Sequence, residues 1–180
     1  YIFAHHAQTK TRLMIKEEIR PLLDLIRSKA LEMNSFDLSS DTLSQIPDFP
    51  IEQLQQYISS TEELVQLLLE YELEKFTDII ENNDLLDKNA IDAMLHVSLE
   101  ISRKFNHIFP SISPQIKQKY PAVYHDQFQK RMEVISEKIR INLNIGMNQG
   151  MYRGDLSAEL ISRLYLSPMI DIHNQDFFPT

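Results

Sequence analysis

Apolar residues along this chain recur at spacings of three and four instead of alternating, the period of a helix with one buried face. The clearest run is Leu64, Leu67, Leu68, Tyr71, Leu73, Phe76, Ile79 and Ile80. It opens after Ser60 and Glu63, a capping-box spacing. Upstream, a first long helix is expected from about Thr9 to Met33, with Pro21 kinking or dividing it because proline lacks the amide donor. Ser39-Ser40-Asp41 offers N-cap chemistry to a short helix carrying Leu43 and Ile46. Pro47-Asp48-Phe49-Pro50 reads as a stop and turn, followed by a second short helix, Ile51 to Tyr57. Asn82-Asn83-Asp84 ends the Leu64–Ile80 helix. A further long segment, about Asp87 to Phe109, carries Ile91, Met94, Leu95, Leu99, Ile101 and Phe105. Pro110, Pro114 and Pro121 punctuate a bent connector with a short helix between them. The longest helix is expected from about Pro121 to Gln149, with Gly150 as its C-cap. A last helix, capped by Ser157, is expected to end near Pro168, and the apolar tail Asp176-Phe177-Phe178-Pro179 to dock on the body. The predicted fold class is all-α.

Composition sharpens this picture. The three glycines all lie in one window, at 146, 150 and 154, so the tight hairpins of a β-protein have no residues to form them elsewhere. With 43% hydrophobic residues in 180, the chain can fill a core. The absence of cysteine excludes disulfides, thiolate metal sites and cysteine nucleophiles. No apolar run approaches the ~20 residues that cross a bilayer; the longest, Leu64 to Leu69, is flanked by glutamates. With no signal-peptide pattern at the start, a cytoplasmic protein with no membrane partner is expected. The net charge of −8 argues against broad, nonspecific nucleic-acid binding. A small head could still be locally basic, yet the first 58 residues carry six basic and eight acidic side chains, a balance of −2.

Catalytic signatures are missing: the chain has no glycine-rich phosphate loop, no His-Glu-x-x-His and no nucleophile elbow, so no enzyme, cofactor or metal is expected. Asp92, His96 and Glu100 share one helix face at i, i+4 and i+8 and could bind a metal, but helix surfaces routinely carry such stripes. His5-His6 reads as a terminal segment and not a ligand pair. Phe76, Met94, Phe105, Phe109, Tyr120, Tyr124, Phe128 and Met132 fall on the central helices. Singly each suits a core. Together, soft and aromatic side chains between helices are what a pocket for an apolar molecule requires.

Two stretches carry a family likeness. Asn144-Ile145-Gly146-Met147-Asn148-Gln149-Gly150-Met151-Tyr152-Arg153-Gly154-Asp155-Leu156 resembles a string found between the last two long helices of TetR-type transcriptional regulators. In it, the small residue at 146 should admit a close helix approach and Gly150 should turn the chain. The stretch from Phe36 to Leu64 is similar to that family's helix-turn-helix in order: capped short helix, turn, second short helix, capped long helix. Leu43, Phe49, Leu54, Tyr57 and Ile58 stand at its apolar positions. Three features depart from the pattern. Asp48 occupies the turn position that usually carries glycine, and Thr61 the position of a phosphate-binding lysine. The would-be recognition helix, Ile51 to Tyr57, has no basic residue.

The resemblance implies a head over residues 1–59, reading double-stranded operator DNA, and an effector-binding and dimerisation body over 60–180. Gln53, Gln55 and Gln56 are candidate base contacts, since glutamine pairs in a bidentate way with adenine. Tyr57 and Thr61 are candidate phosphate contacts, with Lys10, Arg12 and Lys16 as further backbone contacts. Phe76, Met94, Phe105, Tyr124 and Phe128 are expected to line the pocket for a small apolar effector. In a homodimer the last two long helices should pair with their copies through Ile139, Leu143, Leu160, Leu164 and Tyr165, together with Ile135. The alternative is a helical ligand-binding or sensing protein that has lost DNA recognition, which the acidic head favours.

Overall fold

The computed structural model describes residues 15–33, 35–81, 89–104 and 114–173, without the side chains of 169 and 171–173. Among them there are helices and no strand. A 3-10 turn at Glu17–Ile19 leads into α1 (Arg20–Glu32), followed by α2 (Ser40–Ser44), α3 (Ile51–Gln55) and α4 (Thr61–Glu81). α5 spans Ala90–Lys104, α6 Pro114–Lys119, α7 Pro121–Asn148 and α8 Ala158–His173. Expectations at His5-His6, Lys10, Arg12, Asn82-Asn83-Asp84, Phe105, Phe109 and the Asp176–Pro179 tail lie outside the described residues.

Prolines decide several boundaries. Pro21 sits in the first turn of α1, directly after the 3-10 turn at Glu17–Ile19, so it marks a division between the two, at a position where a missing amide is tolerated. The expected helix before residue 15 lies outside the described residues. Pro114 and Pro121 open α6 and α7 in the same way. Pro168, expected to end the last helix, lies inside α8, which runs on to His173. Its exposed position leaves water to solvate the freed carbonyl.

Caps fix the other ends. Ser39 Oγ accepts from the Thr42 amide at the start of α2. At α4, Ser60 Oγ accepts from the Glu63 amide while Glu63 Oε2 takes the Ser59 amide, so two orphan donors are satisfied together. Between α2 and α3, Asp48 adopts φ +57°, a conformation that favours glycine. It does so where the resemblance places a glycine. α7 ends in a Schellman motif: the Met151 amide bonds Gly146 O, the Gly150 amide bonds Met147 O, and Gly150 itself has φ +71°.

One continuous cluster of buried side chains runs from Ile15, Ile19, Leu22, Leu23 and Ile26 through Leu43, Phe49 and Leu54 to Leu64, Val65, Leu68 and Leu69 of α4. It also takes in Ile116 of α6 and Tyr124 of α7. The chain turns at residues 59–60, but the core continues across that turn. The Phe36 amide donates to Gln115 Oε1 at 2.8 Å, and Lys119 pairs with Asp37, which fastens the loop before α2 to α6. α7 is the central element, packing against α4, α5, α6 and α8.

Candidate functional site

The second half of α4 has different surroundings from the first. Phe76 and Ile80 face a partly open cavity of about 260 Å³ bounded by three more helices. α5 contributes Ala93, Met94, Val97, Ser98 and Ile101; α7 contributes Ile135, Lys138, Ile139 and Asn142; α8 contributes Tyr165. The void exists because α5 brings only the small Ala90 and Ala93 into full burial among its described residues, while its larger side chains stay half-buried at the rim or point outward.

The glycine-containing string lies just outside the lining and braces two residues that form it or start α5, Asn142 and Ala90. Asn142 Nδ2 donates to the Ala90 carbonyl at 2.7 Å, and the Ala90 amide donates to Gln149 Oε1 at 2.9 Å. The first residue of α5 is thereby held at both its polar groups, by α7 and by the residue that caps it. Tyr152 folds back so that its hydroxyl donates to Asn142 Oδ1 at 3.2 Å. Its ring lies over Gly146, where a Cβ would stand 2.2 Å from the ring and 3.0 Å from Ala90 Cβ. The close approach that Gly146 permits is therefore made by an aromatic ring as well as by α5. Partial burial raises the Tyr152 hydroxyl above its ordinary pKa. Arg153 and Asp155 pair in bidentate fashion on the surface beyond the turn, outside the cavity.

Beneath the cavity floor lies a buried charge cluster. Glu72 of α4 is fully buried (0% exposed) and accepts from Arg27 Nε of α1 at 2.8 Å. Arg131 of α7 is buried as well. Desolvation lowers its pKa, and the charge of Glu72 and then the Tyr124 ring oppose that fall. The Arg131 guanidinium sits over the Phe76 ring, 5.1 Å from its centroid. The cavity wall at Phe76 is thus linked to α1 by the Arg131–Phe76 ring contact, the charge of Glu72 acting on Arg131, and the Glu72–Arg27 ion pair. Periodicity points to none of this, because Glu72 and Arg131 occupy positions that a hydrophobic pattern simply skips.

The expected pocket residues separate. Phe76 and Met94 line the cavity. Tyr124 does not: it is buried in the core shared with α1–α3, where burial pushes its hydroxyl up to about 12 against the opposing influence of Arg131. Phe128 is half-buried and also outside the lining. Height along α7 is the reason. Tyr124 stands eleven residues before Ile135, the first α7 residue at the cavity, which is about 16 Å at the helical rise.

The expected interface residues separate too. Leu160, Leu164 and Tyr165 of α8 are 56%, 60% and 52% exposed, an apolar face left open by the described residues, with Tyr165 at its border with the cavity. Ile139, by contrast, is only 5% exposed and faces the cavity, so it is not on that surface; Leu143 is half-buried and Ile135 lines the cavity. The helical phase of α7 turns 135, 139 and 142 toward α5 and away from a partner.

On the head, Leu54 is buried and anchors α3, leaving Glu52, Gln53, Gln55 and Gln56 exposed. α3 stops at Gln55, so Gln56 and Tyr57 belong to the turn that follows; Tyr57 and Thr61 are half-buried. Glu52 and Gln56 lie most nearly opposite Leu54, with Gln53 and Gln55 on the flanks. Lys16 places its Nζ 5.9 Å from the Tyr57 ring centroid, bringing a cation to this edge. The Asp92, His96, Glu100 stripe is engaged locally: Asp92 bonds Asn89, and Glu100 pairs with Arg103 and Lys104.

No family model matches the chain, and no curated protein or solved structure matches it. No helix among the described residues is long and apolar enough to cross a membrane.

Proposed function

We propose that the chain is a ligand-responsive regulator of the TetR type, a homodimer in which a small apolar effector in the α4–α5–α7–α8 cavity alters how two heads meet double-stranded DNA. The observation that carries this reading is the double membership of α4. Its first half is buried in the core of α1–α3, and its second half walls the cavity through Phe76 and Ile80. A rigid rod of about 30 Å that belongs to both cannot shift at one end without moving the other. The Phe76–Arg131–Glu72–Arg27 run adds a second tie from cavity to α1. Asp48 in a left-handed conformation between two short helices supports a helix-turn-helix role for α2 and α3. The open apolar face of α8 supports pairing of two copies, which would present two heads to successive major grooves.

A second reading is favoured by a specific observation: α3 and the turn after it expose Glu52, Gln53, Gln55 and Gln56 with no lysine or arginine, so phosphate attraction would be weak. On that reading the protein senses a ligand without reading DNA. Fluorescence anisotropy against DNA from the gene's own upstream region, at low salt, separates the two. The regulator reading expects saturable binding with a shallow salt dependence. It also expects Thr61→Lys to raise affinity for all sequences and steepen the log–log salt slope by about 1. No binding by either protein leaves the sensor reading.

A further inference from the structure

The cavity is apolar in nearly all its lining, and its polar groups have unequal status. Asn142 is committed on both sides, to Ala90 and to Tyr152. Ser98 Oγ donates to the Met94 carbonyl within its own helix. Lys138 is different. Its neighbours among the cations of α7, α8 and the turn between them are paired: Lys130 with Asp126, Arg140 with Glu137, Arg153 with Asp155 and Arg163 with Glu159. No carboxylate among the described residues stands within ion-pair distance of Lys138, and it lines the cavity half-buried. Tyr165, also in the lining, contributes a phenol with no hydrogen bond among the described residues.

A lone cation in an apolar lining selects by charge. A neutral apolar guest would make no use of the ammonium, and a cationic guest would be repelled. A guest with an anionic end satisfies it through a charge-assisted hydrogen bond, while its body fills the space between Phe76, Met94, Val97 and Ile139. The donors available are one ammonium and one phenol, which match a single negative charge better than a phosphate dianion with its three acceptor oxygens. The volume holds about nine water-sized groups, the scale of a medium-chain body.

From this geometry we propose that the cavity's ligand is an amphiphilic monocarboxylate, a medium-chain or aryl acid, with its carboxylate on Lys138 at the rim and its apolar body inside. This rests on the cavity being the effector site, and it specifies what chemistry enters it. Isothermal titration calorimetry of the full chain with decanoate, decanol and decyl phosphate, each below its aggregation concentration, tests it. Decanoate is expected to bind the wild type about tenfold or more tightly than decanol, one charge-assisted contact's difference. Lys138→Met should erase that preference, leaving decanol binding unchanged, and Lys138→Arg should keep it. Equal binding of decanoate and decanol to the wild type overturns the carboxylate while leaving an apolar effector cavity standing. Tighter binding of decyl phosphate than decanoate overturns the monocarboxylate in favour of a phosphate ester. Loss of decanol along with decanoate in Lys138→Met makes the lysine a packing element and overturns the proposal. No binding of any of the three removes the effector cavity itself.

Discussion

The two halves of α4 show one helix meeting two kinds of neighbour. Toward its N-terminus, Leu64, Val65, Leu68 and Leu69 are sealed against α1, α3 and the start of α7. Toward its C-terminus, Phe76 and Ile80 are buried too, but the neighbour across from them, α5, stands off and leaves a void. α5 places Ile91, Leu95 and Leu99 on its outer side, where they remain exposed, and gives only alanines to full burial. Apolar residues alone therefore do not make a closed core. What closes the first half is that α1, α3 and the start of α7 all bring large side chains into its core, whereas α5 lies alongside the second half with small ones. Packing at native density is achieved in one place and withheld in the other. The withheld place is where a ligand can contribute its own apolar surface.

The sharpest break in this comparison falls between the halves, at Glu72. Glu72→Leu removes the carboxylate whose charge holds the buried Arg131 and should destabilise by about 3–5 kcal/mol, read by urea unfolding. Replacing both, Glu72→Leu with Arg131→Met, should recover most of that loss. A double variant as unstable as the single would mean that the pair is not energetically coupled. Next in size, Leu68→Ala in the sealed half should cost about 2–5 kcal/mol as a cavity-forming change. Val97→Ala beside the existing void should cost under about 1 kcal/mol, since its methyls already lack partners on one side. Equal losses at the two positions would contradict the contrast drawn between the halves.

Gly146→Ala drives a methyl into the Tyr152 ring, so a loss of about 1–3 kcal/mol is expected. The loss should shrink in a Tyr152→Ala background, where the obstructing ring is gone. Gly150→Val meets no neighbour but must adopt a positive φ, and its expected cost of about 1 kcal/mol reports backbone strain alone. A melting temperature unchanged by Gly150→Val would place the turn's rigidity elsewhere. The smallest stability change belongs to Leu160→Glu with Leu164→Glu, because both side chains are exposed in the single chain. Its readout is sedimentation: the proposed dimer should dissociate into folded monomers, and a variant that stays dimeric puts the interface on another face.

Much of the local structure was legible along the chain because its causes are local. The i, i+3, i+4 rows located the long helices, Ser39, Ser60 and Ser157 marked helix starts, and Gly150 marked the end of α7. Asp48 was recognisable as standing in a glycine's position, and its positive φ is the backbone consequence. Where the sequence misled, as at Pro168, a proline's effect depended on whether the carbonyl it strands meets water.

Only the tertiary structure decided which side chains share the cavity. Tyr124, Phe128, Phe76 and Met94 are alike in chemistry and all lie on central helices. Two of them line the void, and two stand too high on α7 to reach it. Ile139 and Leu164 are alike in a helical pattern, but one turns inward to α5 and the other out to solvent. The pairing of Glu72 with Arg27, 45 residues away, and the lack of a carboxylate beside Lys138 among the described residues were equally beyond reach of the pattern. Helical periodicity records the direction of a side chain around its own axis. It carries nothing about the axial register of four helices against one another, and that register determines burial, pairing and empty space.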